Sequence, residues 1–286
     1  MLAGLPITER RFEAGGVATT VLEAGHQQGA PLVLLHGGIE CGGAYWAPVI
    51  APLAERHYVV APDAPGLGES APVDRLDVDT FARWFGDVLA QTHAERPMLV
   101  AHSLFGSVAA RYSARHGDTL DQLVIYGAPG VGPYRMPAGL KYAAIRFAIR
   151  PTARNAERFD RFALLDLDAT RARDPQWYEA FDTYTRTRAR VPHVKRTMRR
   201  LIGSETKQIP DDELRRITIP TTLLWGRHDR MVPLHLAEHA ATRFRWPLNV
   251  IDNAGHAPNI EQPEAFVRAL SAIETATSAD KKKGTR

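Results

Sequence analysis

Six short apolar runs, at residues 32–35, 58–61, 98–101, 123–126, 222–225 and 249–251, constrain this chain more than anything else in its sequence. None alternates apolar with polar, so each reads as a strand buried on both faces, and such strands belong to parallel sheets covered by helices on both sides. Helix-length stretches at 45–55, 80–92, 104–116, 234–243 and 263–274 separate or follow them, giving repeated strand-helix-strand units. The expected class is α/β, a doubly wound and mostly parallel sheet. Ahead of these, residues 12–22 alternate loosely about Gly15-Gly16 and read as an antiparallel hairpin at a sheet edge.

One interval breaks the rhythm. Roughly 90 residues separate the run ending at Tyr126 from the strand beginning near Thr221. The stretches 140–149, 155–167, 176–188 and 193–202 have helical period and are bounded by prolines such as Pro137, Pro151, Pro175, Pro192 and Pro210. The expected organisation is a core of residues 1–131 and 212–277, an inserted helical cap over 132–211, and a frayed basic tail over 278–286 that carries Lys281 to Lys283. At 286 residues the length fits one large sheet with an insertion.

Charge is uneven along the chain. Residues 133–216 hold 19 Lys plus Arg against 11 Asp plus Glu, a net of +8, which leaves −4 for the remainder of a chain whose total is +4. No finger spacing or RNA-binding signature accompanies the excess, so nucleic acid is not an expected partner. A positive field that draws a small, anionic substrate into a cleft beneath this segment is the functional alternative to solvated helix faces. No apolar run approaches the roughly 18 to 20 residues of a membrane span, so no membrane partner is expected. The first residues lack a secretory signal, and Cys41 stands alone, which excludes an internal disulfide and leads to a cytoplasmic expectation with an inert thiol. The histidines show no metal-ligand spacing and no phosphate-binding glycine motif is complete, so neither metal nor cofactor is expected. A homodimer is left open.

The chemistry concentrates at loops that follow apolar runs. Met98 to Ala101 leads through His102 into Ser103, Leu104, Phe105 and Gly106, a strand that stops at a serine and turns at once into a helix. Such a nucleophile elbow lifts the hydroxyl above the sheet at a helix N-terminus. A hydroxyl needs a base to become nucleophilic near neutral pH. Asp229 follows the run 222–225 and His256 follows 249–251, so all three residues fall on loops beyond the carboxyl ends of strands, where open α/β sheets place their sites. The expected roles are Ser103 as nucleophile, His256 as general base and Asp229 as the group that orients the imidazole. Asp252 is a nearby competitor for the last role. The loop His36-Gly37-Gly38 lies at the same edge, so the Gly38 and Leu104 N–H groups are candidates for an oxyanion hole. Gly37, His102, Phe105 and Trp46 are candidate substrate contacts, with core packing the alternative for Trp46 and a structural role the alternative for His102.

These residues together resemble the α/β-hydrolase superfamily in its single-chain members with a helical cap. The resemblance covers roughly residues 12–270 and rests on His36-Gly37-Gly38, the turn Asp63 to Ser70, His102-Ser103, Gly226 to Asp229 and Gly255-His256, in the family's order. It implies an eight-stranded, mostly parallel sheet with the cap inserted after the sixth strand. It further implies a cofactor-independent serine hydrolase that cleaves an ester, lactone or related acyl bond through an acyl-enzyme. The alternative on the same scaffold is a carbon–carbon bond hydrolase of the meta-cleavage type acting on an anionic diketo acid. The chain departs from the family at Phe105, two residues after the serine, where a small residue is usual. Either Gly106 takes the close contact there or Phe105 projects into the pocket, and the second case admits a ligand-binding protein without turnover.

Overall fold

A computed structural model describes residue 2 and residues 4–284. Its strands are β1 (Ile7–Ala14), β2 (Val17–Ala24), β3 (Ala30–Leu35), β4 (His57–Pro62), β5 (Met98–His102), β6 (Gln122–Tyr126), β7 (Thr221–Gly226) and β8 (Leu248–Ile251). Among the described residues they form one eight-stranded sheet in the order β1-β2-β4-β3-β5-β6-β7-β8. The pairs from β4 to β8 are parallel, while β1 with β2 and β2 with β4 are antiparallel. The hairpin closes between Ala14 and Val17, and both loop residues, Gly15 and Gly16, take positive φ, as a two-residue turn matched to strand twist requires.

The helices are α1 (Ala47–Ala54), α2 (Val78–Thr92), α3 (Ser103–His116), α4 (Ala138–Ile149), α5 (Ala153–Ala163), α6 (Leu167–Arg173), α7 (Pro175–Arg188), α8 (Pro192–Glu205), α9 (Asp211–Leu214), α10 (Leu234–Phe244), α11 (Pro258–Glu261) and α12 (Pro263–Gly284). Strand side chains divide by parity between two cores. Val33, Leu35, Leu99 and Ala101 face α2, α3 and α10, whereas Leu32, Leu34, Met98 and Val100 face α1 and α12. This explains why the runs are apolar without alternation: both faces are covered. Six helices, α4 to α9, lie between β6 and β7.

Three expectations are corrected. The stretch 45–55 begins as a 3₁₀ turn, Gly42–Trp46, and becomes α-helical at Ala47, because Pro48 favours a first turn. The stretch 155–167 is two helices, because Asp166 caps α6 by accepting from the Ala169 N–H at 2.8 Å. The frayed tail expected from Ser278 is helical as far as Gly284, continuing α12; residues 285–286 lie outside the described residues. No helix among the described residues is long and apolar enough to cross a membrane.

Candidate active site

Strand β5 ends at His102 in extended backbone, and Ser103 opens α3 at φ +52°, left-handed for a residue with a Cβ. That conformation is strained and needs its surroundings to hold it. Room is made by glycine. A Cβ on Gly106 would lie 2.8 Å from the Ala128 Cβ and 2.9 Å from the Ala101 carbonyl, and one on Gly37 would lie 2.7 Å from His102 Nδ1 and 3.2 Å from Ser103 Cβ. The close contact beside the elbow therefore falls on Gly106, three residues after the serine, rather than on position 105.

His256 Nε2 stands 3.0 Å from Ser103 Oγ, and His256 Nδ1 stands 2.7 Å from Asp229 Oδ2. Asp229 is itself fixed, since its Oδ1 accepts from the Met231 and Val232 N–H groups at 2.8 Å each. With the carboxylate accepting at Nδ1–H, the free lone pair of the imidazole is Nε2, which faces the hydroxyl. The His256 loop is pinned at several points. Its backbone N–H donates to the Ala163 carbonyl at 2.6 Å, its carbonyl receives His102 Nε2 at 3.0 Å, and the preceding Gly255 N–H donates to Glu261 Oε2 at 2.7 Å. Asp252 is excluded from this chain of bonds: it is exposed and bound to Arg227.

Gly38, Ser103, Leu104 and His256 border a common cavity. The Gly38 N–H has no acceptor among the described residues, and the Leu104 N–H belongs to the first turn of α3, where helical acceptors are absent. Both donors are thus available beside the serine. His36 organises this loop from beneath. Its Nδ1 donates to the Gly37 carbonyl at 2.6 Å and its Nε2 accepts from the Ala64 N–H at 3.0 Å, while burial lowers its pKa to about 4 and keeps it neutral.

The four candidate substrate contacts divide. Gly37 and His102 line the cavity at Ser103. His102 is nevertheless committed to the protein: its ring stacks on Tyr45 at 5.2 Å, its Nε2 holds the His256 carbonyl, and burial, followed by the neighbouring His256, depresses its pKa well below the usual value. Phe105 is a correction. It is fully buried, edge-on to His36 at 5.3 Å and packed near Phe81, and it does not line the cavity at Ser103. Trp46 is another, for it is buried among Tyr45, Tyr126 and Phe266 in the α1 and α12 core.

Sequence reasoning missed the polar wall of the cavity. Two adjoining spaces of about 140 Å³ and 70 Å³ meet at Ser103, roofed by Ala144, Phe159, Met198 and Ile202 from α4, α5 and α8. The larger one also holds Glu40, Asp160 and Asp182, and among the described residues no Lys or Arg lines either space. Burial raises Glu40 to about 7 and Asp160 to about 6, and the charge of Asp160 contributes to the rise at Glu40. Asp160 accepts from Tyr178 Oη at 2.7 Å and Asp182 pairs with Arg186 at 2.8 Å, while the Glu40 carboxyl has no side-chain partner among the described residues. Asp160 and Asp182 point inward only because α5 and α7 pack as they do, which no local pattern announces.

The sequence profile of the alpha/beta hydrolase family matches residues 32–269. The chain belongs to the alpha/beta hydrolase family. Relatives of this hydrolase include the 2-hydroxy-6-oxo-6-(2'-aminophenyl)hexa-2,4-dienoic acid hydrolase of Metapseudomonas resinovorans, 28% identical over 91% of this chain and 89% of that protein. The pimeloyl-[acyl-carrier protein] methyl ester esterase of Aeromonas hydrophila is 26% identical over 85% of this chain and 94% of its own length. Among solved structures, the 2-hydroxy-6-oxo-6-phenylhexa-2,4-dienoate hydrolase of Rhodococcus sp. strain RHA1 superposes with a TM-score of 0.82, at 25% identity, covering 94% of this chain and 99% of that one.

Proposed function

We propose that this hydrolase is a serine esterase whose substrate carries no negative charge, with Ser103 as nucleophile, His256 as general base and Asp229 as the orienting carboxylate. The observation that carries this reading is the hydrogen-bonded line from Ser103 Oγ through His256 to Asp229, facing a cavity that carboxyl groups and apolar side chains line, with no cation among the described residues. Ser103 attacks the ester carbonyl as its proton passes to His256 Nε2. The oxyanion is received by the Gly38 and Leu104 N–H groups, each such donor contributing about 2.7 to 4 kcal/mol to the transition state. His256 then protonates the leaving alcohol, and a water deprotonated by the same nitrogen releases the acid from the acyl-enzyme. Apart from the ester and the water, the groups in this sequence are the chain's own Ser103, His256, Asp229 and the Gly38 and Leu104 N–H groups. Helices α4 to α8, within residues 132–211, act as a cap over a core of residues 1–131 and 212–277, a division supported by the residues they supply to the cavity roof.

Carbon–carbon cleavage of a diketo acid is the second reading, favoured by the relatives named as dienoic acid hydrolases. The cavity opposes it, because an anionic substrate would meet Glu40 and Asp160 without a compensating cation. The test is a panel of uncharged chromogenic esters, their carboxylate-bearing analogues and one diketo acid, run on wild type and Ser103→Ala. Turnover of uncharged esters that is lost in the variant supports the proposal. Selective turnover of the diketo acid overturns it.

A further inference from the structure

Among the described residues, three large apolar side chains stand exposed, Tyr142 at 56%, Ile145 at 48% and Ile149 at 66%, and all three lie on α4. Spacings of three and four place them on one helical face. The opposite face, with Leu140, Ala143 and Phe147, is buried. Helix α4 contains no acidic residue. Around the exposed ridge stand Lys141, Arg146, Arg150 and Arg154, all exposed, and none joins an ion pair among the described residues. A fifth cation, Arg158, lies over the Tyr142 ring at 5.7 Å. The acidic side chains of neighbouring α5 are already engaged, Glu157 with Arg161 and Asp160 with Tyr178. The corner between the two helices is fixed, because Asn155 Nδ2 donates to the carbonyls of Arg146 and Arg150 at 3.3 and 2.8 Å.

We propose that α4 docks this hydrolase on an anionic lipid surface, with Tyr142, Ile145 and Ile149 entering the headgroup boundary and the flanking cations meeting lipid phosphates. An apolar ridge bordered by Lys and Arg is the pattern of a helix that lies in a membrane interface. Charge decides against a second copy as the occupant, since two α4 helices brought face to face would oppose like charges. The expectation of no membrane partner rested on the lack of a spanning run, which governs insertion across a bilayer and not docking on its surface. The same helix supplies Ala144 and Phe147 to the cavity above Ser103, so docking would bring that cavity next to lipid-dissolved esters.

The test is co-sedimentation with vesicles of phosphatidylcholine alone and of phosphatidylcholine with about one-third phosphatidylglycerol, at neutral pH and low salt. Wild type is expected to pellet with the mixed vesicles, to remain largely in solution with phosphatidylcholine alone, and to be released by high salt. Arg146→Glu/Arg150→Glu is expected to weaken binding by more than the about fivefold per cation typical of such contacts. Ile145→Glu/Ile149→Glu is expected to lower it at least tenfold. Both variants should retain wild-type turnover of a water-soluble ester, which checks that they fold. No pelleting of wild type with the mixed vesicles, or equal pelleting of both variants, overturns the proposal. A wild-type dimer in sedimentation velocity that Ile145→Glu/Ile149→Glu makes monomeric overturns it in favour of self-association.

Discussion

Replacing Glu40 by Gln should stabilise the protein in alkali and leave it unchanged in acid. Burial is the main cause that raises the Glu40 carboxyl from 4.5 to about 7, and the charge of Asp160 adds to it. Below pH about 4.5 the group is protonated in folded and unfolded chains alike and does not affect the balance. Between about 4.5 and 7 the unfolded chain releases the proton while the folded one keeps it, so native stability falls as pH rises; above 7 the loss is complete. About 2.5 pKa units at 1.36 kcal/mol each set that loss at about 3 kcal/mol. Glutamine keeps the shape and never ionises. Urea unfolding of both proteins should therefore give equal stabilities near pH 4.5 and a gap approaching 3 kcal/mol in favour of Glu40→Gln at pH 8. In a thermal melt this corresponds to about 5 °C for a chain of this length. The same substitution lowers the negative charge beside Ser103, so kcat/KM for carboxylate-bearing esters should rise relative to uncharged ones. A stability gap that does not change with pH, or one that favours the wild type at pH 8, would refute the burial of this carboxyl and its place in the cavity wall.

Other consequences are equally direct. Phe105→Ala removes a fully buried ring and should cost about 3 to 5 kcal/mol in urea unfolding, with the order of preference among esters unchanged; an altered preference would mean that Phe105 reaches the pocket. Asp229→Asn leaves a side chain that can still bind the Met231 and Val232 N–H groups but favours the wrong imidazole tautomer. Its kcat should fall by about 10⁴ with a native circular dichroism spectrum, and a loss under tenfold would remove Asp229 from its role. The His36 ring proton resonances should not titrate by NMR until the pH nears 4, since the neutral ring is held by Gly37 and Ala64. Gly37→Ala should lower kcat more than stability, because the new methyl presses on His102 and Ser103 at the elbow.

The sheet was legible because the inner parallel strands are buried on both faces and so leave unbroken apolar runs, as at Leu32 to Leu35 and Leu123 to Tyr126. The meeting of Ser103, Asp229 and His256 was legible for a related reason: each follows a strand end, and parallel strands carry such loops to one edge. The packing around the elbow was not. Whether position 105 or 106 bears the tight contact depends on Ala128, which arrives from another strand's loop. Trp46 offers the same lesson, since its apolar bulk suits a cleft wall or a core and only the positions of Tyr126 and Phe266 decide. The basic excess of residues 133–216 suggested a positive cleft, yet the groups that reach the cavity are Asp160 and Asp182 while Arg146 and Arg150 face outward. Net charge records how many groups a segment holds and not which way its helices turn them.

A reactive alcohol at residue 103 can be tested with a fluorophosphonate probe, followed by intact mass and peptide mapping. One adduct on Ser103, formed by the wild type, absent in Ser103→Ala and strongly slowed in His256→Ala, is the expected result. Folded wild type that takes no label, or label that survives in Ser103→Ala, would contradict a nucleophile activated by the His256 imidazole at 3.0 Å.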